Sequence, residues 1–381
     1  MVALDGASHD RAKQRKQHAP DVLDVREADG PVRLRIDMEL ACAREEPIRS
    51  NGLCEGRMTG LHAAYRERGA DLPFGDPGRD HGAGMEGYYW RIVAGETVLV
   101  VLCGVGRGAD GRWGLVALAS HPDAHVRFAT VAPAAPSPAG FGVRAGEVLD
   151  GSLERLRLRL GDEDWLELRL TVRLTWPRGI FGALGAAHVV PGLAQYWHPV
   201  VLDGAASGEG CVAGRPLRLD EATFYADKNW GPSFAGRWWW GQASAFPEEG
   251  LGVAFAGGAL PRLGATPSAV VLWRGGQVHR FAPPLARSRV ALGEGRWRVR
   301  TSSPRYRLEI DGQATRSGLV LPVPEPGEPR IEMRSEQVLA GRLALRLSRG
   351  GKTLIDSVSP LAGLERGRPG ARPSPPAAPR P

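Results

Sequence analysis

Between residues 156 and 174 the chain alternates with a period of two. Leu156, Leu158 and Leu160 are separated by arginines, and Leu166, Leu168, Leu170, Val172 and Leu174 follow with polar residues between most of them. Successive side chains of a strand point to opposite faces, so this pattern describes one apolar and one solvated face of a β-sheet. Gly161-Asp162-Glu163-Asp164 between the runs reads as a turn, which predicts an antiparallel hairpin. The same texture occurs earlier, at Tyr88 to Val93, Thr97 to Val105 and Gly114 to Ala119. It resumes at Val253 to Ala256, Ala269 to Trp273, Val278 to Phe281, Trp297 to Thr301, Tyr306 to Ile310 and Leu343 to Leu347. Only Gly179 to Leu193, rich in Gly and Ala, reads as a short helix or linking loop. The predicted class is all-β, predominantly antiparallel, with few short helices.

About 20 strand-length segments exceed what one eight-stranded barrel takes, so two packed β barrels or sandwiches are expected. The expected division is a loosely ordered N-terminal extension (1–55), a first β unit (56–195), a second β unit (196–365) and a disordered tail (366–381). The tail is assigned from its proline and arginine content. Barrels of this size enclose side chains or one small ligand, which predicts a lipophilic pocket.

Composition narrows the function classes. With 43% hydrophobic and 24% charged residues the chain is globular rather than disordered. No apolar run approaches the ~20 residues of a spanning helix, and residues 1–22 are polar with no apolar segment of a secretory signal, which reads as cytoplasmic. The net charge of +7 suggests nucleic acid, yet Arg155, Arg157 and Arg159 face a plausible partner strand carrying Glu167. Opposite charges across a ladder describe a solvated sheet face, so no nucleic-acid partner is expected, while peripheral contact with an anionic membrane stays open.

Cys42, Cys54, Cys103 and Cys211 lack metal-ligand spacing and suit a reduced compartment. Gly104 to Gly111 is glycine-rich but has hairpin spacing rather than that of a phosphate loop. His121 and His125 flank a Pro-Asp turn with no third ligand nearby. No cofactor and no metal are expected.

The segment 223–246 departs from this background. It holds four of the 11 tryptophans, at Trp230, Trp238, Trp239 and Trp240. It also holds Lys228, in a chain with four lysines against 45 arginines. Strand parity puts Tyr225, Asp227 and Asn229 on one face and Ala226, Lys228 and Trp230 on the other. After Gly231-Pro232 it groups Trp238, Trp240, Gln242, Ser244 and Phe246 against Trp239, Gly241, Ala243 and Ala245. From the residues alone, two sheets packed through large rings and an aromatic ligand pocket are both open readings.

Phe224-Tyr-Ala-Asp-Lys-Asn-Trp-Gly231, followed by Phe234 and Trp238-Trp-Trp240-x-Gln242, resembles the signature of the tocopherol cyclase family. Met85-Glu86-Gly87-Tyr88-Tyr89-Trp90-Arg91 is similar to that family's early strand, and weaker likenesses extend from about Leu61 to Gly367. Asp227 stands where plant members have Glu, and Ala235 stands where they have Pro. The resemblance implies a lipocalin-like β architecture, related to the carotenoid hydratase type. It also implies cofactor-free ring closure of a prenylated hydroquinone to a chromanol.

Such chemistry needs a proton donor to a trisubstituted alkene, shelter for a tertiary cation and an oriented phenol. Asp227 and Glu86 are the candidate acids, and a protonated Lys228 beside Asp227 would favour Glu86. Trp230, Trp238 and Trp240 are candidates to face the cation. Lys228, Asn229 and Gln242 would orient the quinol oxygens, and Tyr225, Tyr88 and Trp90 complete the expected substrate contacts. A terpenoid or carotenoid hydratase and a non-catalytic carrier of quinones or other lipids remain the alternatives.

Overall fold

A computed structural model describes residues 52–71, 76–177, 181–234, 236–258, 268–315, 318–325 and 329–367. Of the expected extension, residues 1–51 lie outside the described residues, while 52–55 open a helix, α1 (Gly52–Glu67). Of the expected tail, 368–381 lie outside them, as does Ala235.

The rest is β-structure in two antiparallel sheets. The first contains β1 (Met85–Ala94), β2 (Thr97–Gly108), β3 (Gly111–His121), β4 (His125–Val131), β5 (Ala134–Pro136), β6 (Gly142–Ala145), β7 (Leu149–Ser152), β8 (Arg155–Arg159), β9 (Trp165–Thr175), β10 (Tyr196–Val212) and β11 (Arg215–Gly231). The second contains β12 (Trp238–Ala243), β13 (Leu251–Gly258), β14 (Ser268–Arg274), β15 (Gln277–Phe281), β16 (Arg287–Gly293), β17 (Arg296–Ser302), β18 (Arg307–Gln313), β19 (Leu319–Glu325), β20 (Arg330–Arg349) and β21 (Lys352–Gly367). Each sheet curls into a nearly closed barrel. In the first, β5 returns against β2 and β3; in the second, β14 approaches β16.

The predicted hairpin at 156–174 forms as β8 and β9, with Arg157 opposite Glu167 and with Leu156, Leu158, Leu166, Leu168 and Leu170 buried. That face contributes to an apolar core inside the first barrel, around Trp90, Phe141, Leu156 and Phe224. A second core, with Trp239, Phe255, Leu272 and Trp297, fills the other barrel. A third lies between them, where Tyr89, Trp197, Tyr225, Trp240 and Trp273 meet.

The change of sheet does not fall near residue 195. β10 and β11 stay in the first sheet, because β11 pairs with β1 from Met85↔Gly231 to Val93↔Thr223 and β10 pairs with β9. The crossing occurs between Gly231 and Trp238, so the aromatic motif itself is divided between the sheets. The linking segment at 179–193 carries a short 3-10 helix, Gly185–Val189.

Arg91 is among the buried side chains that join the sheets. Arg91 on β1 donates to Gln242 Oε1 on β12 at 3.1 Å, to the Leu339 carbonyl on β20 at 2.9 Å and to the Leu361 carbonyl on β21 at 2.7 Å. The β20–β21 ladder shifts register between Val338 and Leu343, beside these carbonyls. A Cβ at Gly363 would lie 2.9 Å from Arg91 Nε, so glycine leaves the guanidinium room. Burial without a carboxylate partner among the described residues lowers Arg91 to about 10.

Candidate active site

Facing residues of an antiparallel ladder share a side of the sheet. In the β1–β11 register Tyr89 faces Asp227 and Tyr88 faces Lys228, so adjacent residues of both strands serve opposite sides. The side carrying Asp227 looks toward the second sheet.

There the structure has a cavity of about 220 Å³. Its lining includes Tyr89, Trp197, Asp227 and Asn229 from the first sheet, and Trp238, Trp240 and Glu365 from the second. Leu184, Ala187, Leu193 and Pro283 add apolar wall. Gly257 also lines it, and a Cβ there would lie 2.6 Å from the Trp239 indole, so the small residue lets that ring pack.

Asp227 is 3% exposed, and three donors converge on its Oδ2. Trp197 Nε1 donates at 2.9 Å, the Tyr225 hydroxyl at 2.9 Å and Trp240 Nε1 at 2.8 Å. Burial nevertheless dominates those bonds, and with the nearby charge of Glu365 it pushes the carboxyl up to about 6. Oδ1 is left as the oxygen that can carry a proton at near-neutral pH. Asp227 has the environment of a general acid: an apolar, indole-walled site that favours the neutral carboxyl.

Glu365 is the second carboxyl of the cavity. In the β12–β21 ladder it lies opposite Trp240. Its Oε1 accepts from Trp238 Nε1 at 2.6 Å and from Ser335 Oγ at 2.8 Å, and its Oε2 accepts from Gln337 Nε2 at 2.9 Å. Burial raises this carboxyl as well. Two residues of the lining each bury a polar atom without a hydrogen-bond partner, Tyr89 its hydroxyl and Asn229 its Oδ1. Asn229 stands opposite Gly87, where a Cβ would meet its amide at 2.7 Å.

On the other side of β11, Lys228 is fully buried and closes a separate polar network. Its ammonium pairs with Glu86 Oε2 at 2.8 Å, donates to the Arg79 carbonyl and lies 3.1 Å from His81 Nδ1. His81 Nε2 is 2.8 Å from Asp71, which also pairs with Arg66. Burial and the Lys228 charge lower His81 to about 3, so its Nδ1 is the lone pair that accepts and its Nε2 carries the hydrogen given to Asp71. The Glu86 carboxylate further accepts from the His81 backbone N–H at 2.9 Å and the Tyr88 hydroxyl at 3.1 Å.

A compact ammonium can serve three acceptors converging in different directions, which a planar guanidinium cannot. The lone internal lysine is therefore explained by a structural junction tying the chain at 71–86 to β11. Burial lowers its pKa, and Glu86 opposes that.

The expected site residues thus separate into groups. Asp227, Asn229, Trp238 and Trp240 line the cavity, and Tyr225 supports Asp227 from beneath. Gln242 is buried against Arg91. Glu86 and Lys228 lie on the far face and pair with each other, so Lys228 does not stand beside the Asp227 carboxyl. Trp230 is on that face too, stacked between His81 and Tyr196 at 4.1 and 5.6 Å and donating to the Gly69 carbonyl. Tyr88 and Trp90 point into the first barrel, where Trp90 donates to the Ser152 carbonyl. Tyr89, Trp197 and Glu365 were not singled out from the sequence. The parity of β1 opposite Asp227 could have found Tyr89, whereas Glu365 had no local signal.

Among the described residues no group of His, Cys, Asp and Glu could hold a metal ion, and no helix is long and apolar enough to cross a membrane.

Comparison with known proteins bears on this site. Residues 184–368 match the family described as tocopherol cyclase-like. The chloroplastic tocopherol cyclase of Zea mays is 26% identical over 190 residues, which is 46% of this chain and 40% of the maize protein. The probable chloroplastic tocopherol cyclase of Oryza sativa subsp. japonica is 24% identical over 197 residues, with the same shares of 46% and 40%. The match thus spans under half the length of these relatives. Among solved structures, CghA has a TM-score of 0.52 at 11% identity, covering 74% of this chain and 88% of that one. That likeness is one of fold.

Proposed function

Residues 184–368 are tocopherol cyclase-like, and from that premise we propose that the cavity between the sheets is the active site of a cofactor-free cyclase closing a prenylated hydroquinone to a chromanol. The observation that carries this reading is Asp227, a buried carboxyl raised to about 6 and surrounded by indoles. Its proton goes to the less substituted carbon of the alkene, leaving a tertiary cation. The faces of Trp197, Trp238 and Trp240 stabilise that charge by roughly 0.5 to 2 kcal/mol per contact. The phenol oxygen then bonds to the cationic carbon.

Three donors fix Asp227 through Oδ2, which keeps the acid aimed while the substrate moves. The unpartnered Tyr89 hydroxyl and Asn229 Oδ1 suit the second quinol oxygen, as donor and acceptor respectively. At about 220 Å³ the cavity is below the roughly 300 Å³ at which drug-sized pockets begin. It therefore suits the quinol ring and its first isoprene unit, with the remaining chain running along Leu184, Leu193 and Pro283.

The purified protein is incubated with prenylated benzoquinols of several chain lengths near pH 6. The expected product is an isomer of unchanged mass bearing a chromanol ring, with Asp227→Asn inactive. A product heavier by one water would replace the cyclase with a hydratase. Ligand binding with no conversion at any chain length would leave a carrier.

A further inference from the structure

Delivering a proton to the alkene is half of the proton traffic in such a reaction, because the phenol must lose its own proton as its oxygen bonds to carbon. Two carboxyls line the cavity, and their hydrogen bonds are distributed differently. Asp227 receives all three donors on Oδ2, which frees Oδ1 to be protonated. Glu365 receives Trp238 and Ser335 on Oε1 and Gln337 on Oε2, so protonating either oxygen disturbs an existing bond. Hydrogen bonds donated to both oxygens favour the carboxylate. Burial raises both carboxyls, so the placement of the donors separates them: Asp227 has one oxygen open to a proton, whereas both oxygens of Glu365 are held as acceptors, the arrangement of a base beside an acid.

The two carboxyls reach the cavity from opposite sheets, Asp227 on β11 and Glu365 on β21. The buried, unpartnered Tyr89 hydroxyl lies within the electrostatic influence of both. Both carboxyls belong to the lining of the one cavity that would hold the substrate ring.

Resting on the cyclase reading above, we infer that Glu365 is the base of the reaction, taking the phenol proton as the oxygen closes on the cation that Asp227 generates. The Asp227 Oδ1–H bond breaks, and its proton forms a C–H bond with the π pair of the alkene. A phenol lone pair fills the empty orbital of the tertiary carbon, and the O–H pair returns to oxygen as the proton passes to Glu365. The organic product is a neutral isomer of the substrate. The enzyme is left with its proton moved from Asp227 to Glu365, and exchange with water resets the pair after release. Trp238 and Ser335 are the positioning residues for Glu365.

The test compares the wild-type protein with Glu365→Gln on a prenylated benzoquinol in D2O. Chromanol formation is expected to fall by about 100-fold or more, the lower end for a positioned base. Deuterium should still enter the prenyl group and be recovered in a migrated alkene or a tertiary alcohol. A chromanol rate within about threefold of wild type overturns the assignment, as does loss of deuterium uptake in step with chromanol. A wild-type protein that forms no chromanol from any prenylated benzoquinol sinks the cyclase reading itself, and this inference with it. If Glu365→Gln does not fold, Gln337→Leu serves, because removing the Oε2 donor raises the Glu365 carboxyl. The acidic limb of the pH–rate profile should then move to higher pH while the alkaline limb stays, and an unmoved acidic limb refutes the role.

Discussion

Replacing Asp227 with asparagine should make the folded protein more stable at alkaline pH, although it removes the proposed acid. Burial lifts this carboxyl from 3.8 to about 6, so folding favours its protonated form. A group raised on folding contributes stability that is complete below its unfolded pKa and is lost as pH climbs through the folded one. The loss amounts to about 3 kcal/mol for a shift of this size.

An asparagine at 227 keeps an oxygen for the Trp197, Tyr225 and Trp240 donors and cannot ionise. The variant should therefore match the wild type near pH 4 and diverge between about pH 4 and pH 6, with a constant gap beyond pH 7. With an unfolding entropy near 0.8 kcal/mol/K for a chain this long, the full gap corresponds to about 4 °C in Tm. Reversible thermal unfolding of both proteins from pH 4 to pH 8 measures it. A Tm difference independent of pH, or one that narrows as pH rises, would refute the claim that burial dominates the three hydrogen bonds.

Trp240→Phe removes one donor to Asp227 Oδ2 and should move the alkaline limb of the pH–rate profile upward by about one unit, the equivalent of one hydrogen bond; a downward shift would contradict the assigned acid. Lys228→Met leaves the buried Glu86 without its cation, and denaturant unfolding should show a loss of about 3 to 5 kcal/mol, whereas a loss below about 1 kcal/mol, the scale of surface pairs, would mean the junction is not structural. Gly87→Ala puts a methyl 2.7 Å from the Asn229 amide and drives that side chain toward the cavity. Its KM for a prenylated quinol should rise several-fold with Tm little changed, and an unaltered KM would remove Asn229 from the substrate contacts.

Much of the scaffold could be read from alternation, because a half-buried strand writes its period into residues such as Leu156, Leu158 and Leu160. The sorting of 225, 227 and 229 from 226, 228 and 230 was also legible, since parity is a local property of β11. What parity does not supply is the partner strand. Nothing in the sequence prefers Tyr89 to Tyr88 and Trp90, because only the ladder states that Tyr89 is the residue opposite Asp227.

Glu365 lies 125 residues beyond Trp240, in an ordinary amphipathic strand, and only the β12–β21 pairing brings it to the site. The change of sheet inside the aromatic motif was hidden for a related reason. Gly231-Pro232 reads as a turn whether the chain returns to the same sheet or leaves it, and long-range pairing decides between the two.

The adjacency of Asp227 and Lys228 has a consequence for how β11 finds its place. A slip of one residue in a strand exchanges its two faces. Here it would set an ammonium among the indoles and bring a third carboxylate to Glu86 and Asp71, each arrangement strongly disfavoured. Because the correct alignment alone matches acid to aromatic wall and cation to anions, the order of two neighbouring letters acts as a proofreading device for strand pairing.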